Sequence, residues 1–236
     1  MKVKTKSWCL LTLLTVTGSA ISAPSPEHLY TQQSSITPEL ANPGQYAVGV
    51  QTLNVVHKKQ LNTQTFTSQA DRPLTLEVWY PADDKAAAEK LAIYENVTRL
   101  HKPFSLIGTS HRDVAPKASG QFPLVVLSHG YTGYRTIMYY LGEHLASHGY
   151  VVVGIDHTDS TTADVDFVNS GFSGFPSTLI NRARDQQFVL DYFSQDDSAI
   201  TSITDTDDAA VIGYSMGGFG AVNTIGACYD FNQAGL

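Results

Sequence analysis

Two apolar patterns divide this chain. Between residues 46 and 81 apolar side chains tend to alternate with polar ones; from residue 122 onward they form unbroken runs separated by segments of helical period. Leu74-Thr75-Leu76-Glu77-Val78-Trp79-Tyr80, closed by Pro81, has the period of a half-buried strand. Tyr46 to His57 alternates more loosely but is rich in β-branched residues, which predicts an earlier strand. The two are expected to pair as an antiparallel hairpin across the polar stretch 58–73. Lys85 to Arg99 has helix-forming composition, and Gly108 to Gly120 reads as surface loop.

Phe122 to Leu127, Tyr150 to Ile155 and Ala209 to Ile212 are continuous apolar runs of buried-strand length. Between and after them lie three helical stretches. Thr136 to His148 carries Ile137, Tyr140, Leu141 and Leu145 inward and stops at Gly149. Thr178 to Phe193 offers Leu179, Phe188, Val189 and Tyr192 to the core, and Gly217 to Cys228 follows the last run. Apolar strands alternating with helices imply parallel pairing with both sheet faces covered. The predicted architecture is α/β: a mostly parallel sheet with helices on both faces and an N-terminal antiparallel hairpin.

Composition changes the picture mainly at the ends of the chain. Lys2, Lys4 and Lys6, the apolar stretch Trp8 to Val16 and the small residues Gly18-Ser19-Ala20 have the layout of a secretory signal peptide over residues 1–20. That stretch is too short to span a bilayer, so no stable membrane insertion is expected once it is removed, and the mature chain is expected to be secreted or periplasmic. Residues 21–45, rich in Pro, Ser, Gln and Thr, read as an extended leader to a domain over 46–236. The whole chain carries a net charge of −7; without residues 1–20 it holds 12 Lys+Arg against 22 Asp+Glu, or −10. No basic cluster survives, which argues against a nucleic-acid partner. Cys228 then stands as the one cysteine, either a buried thiol or one lacking its partner. Asn96-Val97-Thr98 fits a glycosylation acceptor.

The chemistry gathers at the carboxyl ends of the strands, where open α/β sheets bind ligands. Gly213-Tyr214-Ser215-Met216-Gly217, directly behind the run Ala209 to Ile212, matches the G-x-S-x-G turn that lifts a nucleophilic serine clear of the sheet. The glycines leave room for the sharp turn. A tetrahedral intermediate on Ser215 needs N–H donors for its oxyanion. The N–H of Met216, at the start of a helix, is one candidate; that of Tyr131, in the loop after 122–127, is the other, with its ring as a pocket wall. His129 and the pair Asp156-His157 also sit at strand ends, where hydrogen bonding that supports the loops is the expected role. Arg182 and Asp185, three apart on one helix, are expected to form a local ion pair. Phe167, Phe172 and Phe175 either line an acyl pocket or pack on the surface. No metal-ligand spacing and no G-x-G-x-x-G loop occurs, so neither metal nor cofactor is expected.

Together these residues resemble the α/β-hydrolase superfamily, and within it the platelet-activating-factor acetylhydrolase and dienelactone-hydrolase-like esterases. The likeness rests on Leu74 to Pro81, Leu127-Ser128-His129-Gly130-Tyr131, Ala146-Ser147-His148-Gly149-Tyr150, Gly154-Ile155-Asp156-His157 and Gly213 to Gly218, in that order, across about residues 44 to 236. Secreted polyester hydrolases of the cutinase type share the G-Y-T loop and the S-M-G-G elbow. The resemblance implies a serine esterase acting on a small ester or lipid-like substrate, with Ser215 as nucleophile and the N–H groups of Tyr131 and Met216 as oxyanion donors. One feature departs from the pattern. The triad of this fold runs Ser, then Asp or Glu, then His, whereas the 21 residues after Ser215 contain no histidine and one acid, Asp230. The expectation is therefore a C-terminally incomplete copy with its last strands missing, an open sheet edge and little turnover of its own. The rival readings are a non-catalytic binding protein on this fold and a cutinase-like polyester or lipid hydrolase. The sequence does not set the oligomeric state.

Overall fold

The computed structural model describes residues 38–83 and 90–227. The expectations for the signal peptide, for most of the leader and for Cys228 and Asp230 lie outside these residues. After a single helical turn, α1 (Pro38–Ala41), the chain forms β1 (Val48–Leu61), β2 (Gln69–Pro81), β3 (Leu91–Val97), β4 (Pro103–Arg112), β5 (Phe122–Ser128), α2 (Tyr139–Ser147), β6 (Val151–Asp156), α3 (Phe175–Gln195), β7 (Thr204–Gly213) and α4 (Met216–Thr224). The strands make one seven-stranded sheet in the order β3-β4-β1-β2-β6-β5-β7.

The expected hairpin is β1 against β2, antiparallel from Val48↔Pro81 to Leu61↔Gln69. β2 continues antiparallel onto β6. β6, β5 and β7 run parallel through the α2 and α3 crossovers. Alternation inside β5 shows why its apolar run is unbroken. Leu124 and Val126 enter one core with Leu76, Val78, Val153, Val189 and Phe193, on the α3 side. Val125 and Leu127 enter the other with Trp79, Val152, Tyr139 and Ala146, on the α2 side. A strand covered on both faces has no position at which a polar residue is cheap.

Several expectations about the elements fail. Residues 91–97 form a strand, β3, where helix composition pointed to a helix; Ala92 and Tyr94 turn inward and Ile93 outward, the period of a sheet. Residues 108–112 belong to β4, which pairs antiparallel with β3 and parallel with β1, and so extend the sheet where a surface loop was expected. The run Ala209 to Ile212 is not buried. Ala209 and Ala210 are exposed and Ile212 is 38% exposed, because β7 pairs on one side only, with β5, and is an edge strand among the described residues. Leu179 and Tyr140, expected in the core, are also largely exposed. Asn96 has its side-chain amide engaged, donating to Thr136 Oγ1 at 2.8 Å.

Candidate active site

Ser215 stands between the end of β7 and the start of α4 with φ 53° and ψ −117°. A non-glycine residue at such a dihedral pair costs of order 1–3 kcal/mol and persists only where its surroundings hold it. The surroundings are visible. Tyr214 N–H donates to the carbonyl of Ser128, the last residue of β5, and Gly217 N–H donates to Tyr214 O. A Cβ on Gly217 would overlap that same Ser128 carbonyl, so only glycine lets α4 begin against β5. The turn leaves the Ser215 side chain exposed.

The loop after β5 passes directly over the serine. A Cβ placed on Gly130 would sit 3.1 Å from Ser215 Cβ, which brings the Gly130-Tyr131 backbone beside Ser215. Among the described residues the N–H groups of Tyr131 and Met216 have no acceptor. The first is in a loop and the second in the opening turn of a helix, where N–H groups lack intrahelical partners. The loop is pinned to the sheet by Arg135. Its Nη1 meets Asp156 Oδ2 at 2.6 Å and its Nε meets the buried Glu77 at 2.9 Å, while Arg112 holds the other Glu77 oxygen at 2.7 Å. The Tyr131 ring lies nearly parallel to Phe172, at 6.3 Å and 7°, and Phe175 meets both rings edge-on. Phe172 is 77% exposed and forms the outer edge of this aromatic ledge, while Tyr131 and Phe175 are half-buried. Phe167 lies under the Arg99 guanidinium at 4.8 Å.

Neither nearby histidine is free to serve Ser215. His129 Nδ1–H donates to Gly130 O at 2.6 Å, and its Nε2 accepts the His157 N–H at 3.3 Å. His157 donates from Nδ1 to Asp185 Oδ2 at 2.9 Å and accepts the Ser128 hydroxyl at Nε2, at 2.8 Å. The direction of each bond follows because a carboxylate only accepts. Both rings are buried, as is Ser128. The supporting role expected of His129 and of Asp156-His157 is thus what their bonds describe. The expected Arg182–Asp185 ion pair is absent. Asp185 is held instead by Arg72 from β2, through Nε at 2.8 Å and Nη2 at 2.9 Å. Arg182 Nη2 donates to Ser160 Oγ. The Arg72 fork meets the carboxylate with two parallel bonds, which a neighbour on the same helix does not match.

Burial, together with the nearby Arg182 charge, holds both His129 and His157 well below the usual imidazole range, so both are neutral in the fold. The unfolded chain takes up protons at these rings below about pH 6.5 and the folded chain does not, so stability falls as pH drops through that value. Lowering the pH from 7.5 to 5.5 is therefore expected to reduce the urea midpoint. Urea unfolding at the two pH values checks this; equal midpoints would show that the rings titrate normally in the fold.

No group of metal-ligating side chains occurs among the described residues. Nor is any described helix long and apolar enough to cross a membrane.

Comparison with known proteins places these features in a wider set. The family model described as PETase: PET hydrolase-like matches residues 107–228. Cutinase 2 of Thermobifida cellulosilytica is 37% identical over 120 residues, 50% of this chain and 40% of the relative. Cutinase 1 of the same organism is 34% identical over 140 residues, 59% of this chain and 47% of the relative. A platelet-activating factor acetylhydrolase of Cavia porcellus is 38% identical over 47 residues, 20% of this chain and 11% of that one. The matched part therefore spans less than half the length of these cutinases. Among solved structures, a ferulic acid esterase from Streptomyces cinnamoneus has the same fold, with a TM-score of 0.57 at 24% identity over 79% of this chain and 57% of that one.

Proposed function

The chain belongs to the PET hydrolase-like family, and from that premise we propose that it carries the nucleophile and oxyanion hole of a serine hydrolase that cleaves carboxylic esters, with polyesters as its substrate class. Ser215 Oγ attacks the ester carbonyl, and the N–H groups of Tyr131 and Met216 receive the oxyanion. The alcohol leaves, and water then releases the acyl group from Ser215. The observation that carries this reading is the strained Ser215 turn at the β7–α4 junction, with the Gly130-Tyr131 backbone against it. Two further features favour a polymer over a small buried ester. Ser215 and Phe172, the outer ring of the aromatic ledge, are open to solvent, and the likeness to cutinases extends over a longer stretch than that to the acetylhydrolase.

The proton of Ser215 must pass to a base. His129 and His157 do not supply it, their nitrogens being committed elsewhere. With the described residues alone, turnover is accordingly expected to be slow. The signal-like layout of residues 1–20 supports export to the periplasm or the medium.

Treating the protein, as its source organism makes it, with a fluorophosphonate probe tests the reading. Peptide mapping is expected to find the adduct on Ser215. Ser215→Ala is expected to abolish labelling and to lower hydrolysis of a soluble aryl ester by on the order of 10⁴-fold. A folded protein that takes no label at Ser215 would sink the proposal. Release of soluble acids from an aliphatic and an aromatic polyester film would then separate polyester from small-ester hydrolysis.

A further inference from the structure

We propose that His157 is a positioning residue that sets the spacing of the two oxyanion-hole donors, acting through a buried chain Arg72–Asp185–His157–Ser128; the proposal rests on the serine-hydrolase reading above. The chain has the connectivity of a Ser-His-Asp triad, but its serine is sealed. Ser128 is 0% exposed and cannot meet a substrate, so the hydroxyl's bond to His157 Nε2 holds position and performs no attack.

Ser128 is the residue at which the two halves of the oxyanion hole meet. On one side its carbonyl accepts Tyr214 N–H and bears on Gly217, so it fixes the turn that presents Met216. On the other side the chain runs from Ser128 through His129 and Gly130 to Tyr131. His157 grips both sides: its Nε2 takes the Ser128 hydroxyl at 2.8 Å, and its backbone N–H bonds His129 Nε2 at 3.3 Å. Asp185 fixes the ring's tautomer and rotation from behind at 2.9 Å. Asp185 is itself clamped by Arg72, whose Nη2 also reaches Thr158 O at 2.8 Å, next to His157. The residue after Asp185 completes the frame, since Gln186 Nε2 donates to Gly217 O at 3.1 Å. One imidazole therefore couples the loop carrying Tyr131, the floor under Met216 and the helix behind both.

An oxyanion hole acts through donors already in place, so small displacements cost rate more than they cost binding. The test compares Ser128→Ala, a mild cut that removes one hydroxyl, with His157→Phe, which removes the link. It is made in the protein as its source organism makes it. For Ser128→Ala, kcat on a soluble p-nitrophenyl ester is expected to fall about tenfold, less than for outright loss of a donor. KM should stay within about twofold, and an alkylboronic acid, which forms a tetrahedral adduct, should bind more weakly by about the same factor as kcat. His157→Phe should show the same pattern, enlarged to about a hundredfold. A purely structural role would lower activity only in step with the folded fraction, leaving kcat per folded molecule and boronate affinity unchanged, and that result would overturn the proposal. Should the parent protein neither hydrolyse esters nor bind boronate, the serine-hydrolase reading falls separately. Crystal structures of the parent and of Ser128→Ala then decide the positioning claim: an unchanged separation of the Tyr131 and Met216 nitrogens overturns it.

Discussion

Arg72→Met is expected to cost about 3–5 kcal/mol of folding stability, because it strands the Asp185 carboxylate inside the protein. Arg72 is 7% exposed and Asp185 0%. The guanidinium gives Asp185 two bonds, at 2.8 and 2.9 Å, and two further donor bonds run from it to Thr158 O and Asp159 Oδ2. Without it the carboxylate keeps a single hydrogen-bond donor among the described residues, the neutral His157 ring. Against a typical total of about 5–15 kcal/mol, such a loss is a large share of the fold's stability. Urea unfolding measures it directly. A loss under about 1 kcal/mol would mean that solvent reaches Asp185 in the fold. The double variant Arg72→Met/Asp185→Leu should recover much of the loss, since replacing both charges by apolar groups removes the unpaired ion. Recovery should be incomplete, because the His157 Nδ1–H then lacks its acceptor.

The second large effect is expected at Gly217. Gly217→Ala places a methyl group on the Ser128 carbonyl and close to the His129 carbonyl oxygen, and all three nearest atoms are backbone, so no side-chain rotation relieves the overlap. The start of α4 must move away from β5, carrying the Met216 N–H with it. A shift of about 1 Å at a reacting geometry is worth on the order of a hundredfold in rate, and the overpacking itself about 1–3 kcal/mol. The rate of fluorophosphonate labelling at Ser215, compared at equal folded fraction, reads the first effect, and urea unfolding reads the second. Gly218→Ala is the control. A Cβ there lies 3.2 Å from Gly213 O, a contact the turn relieves by a few tenths of an ångström. Equal labelling rates for the parent and Gly217→Ala would show that α4 does not set the donor's place.

The two variants bear on one arrangement. Arg72 lies on β2, far in sequence from Ser215, yet its charge steadies the helix and the histidine on which the Ser128 junction rests. Gly217 works at the junction itself. Stability and activity are therefore expected to separate: Arg72→Met lowers stability first, and Gly217→Ala lowers activity first.

How far the sequence could be read depends on whether the deciding interaction was local. The strand β5, the elbow around Ser215 and the hairpin of β1 with β2 were legible because period, turn chemistry and strand length all act within a few residues. The strand β3 was misread as helix because Lys85 to Arg99 has helix-forming composition. The opposing signal, Ala92 and Tyr94 alternating with Ile93, is short, and it prevails only once β4 supplies the pairing partner. β4 in turn is held by β1 across about sixty residues. Nothing near residue 108 announces that contact. The burial of β7 was misjudged for a related reason: an apolar run reports what a strand would bury, not what lies beside it.

The same division holds at the site. By itself the sequence determined a serine on a glycine-flanked strand-to-helix turn and a histidine-glycine-tyrosine loop after an earlier strand, and it supplied the N–H groups of Tyr131 and Met216 as the proposed oxyanion donors. Only the tertiary structure decided that Asp185 answers to Arg72, 113 positions away, and not to Arg182 one helical turn away. It also decided that His157 closes on Ser128. The physical reason is that a helix brings residues three apart onto one side but does not choose their partners. A buried carboxylate takes whichever cation offers the better-aligned pair of bonds, and that cation arrives on a different strand.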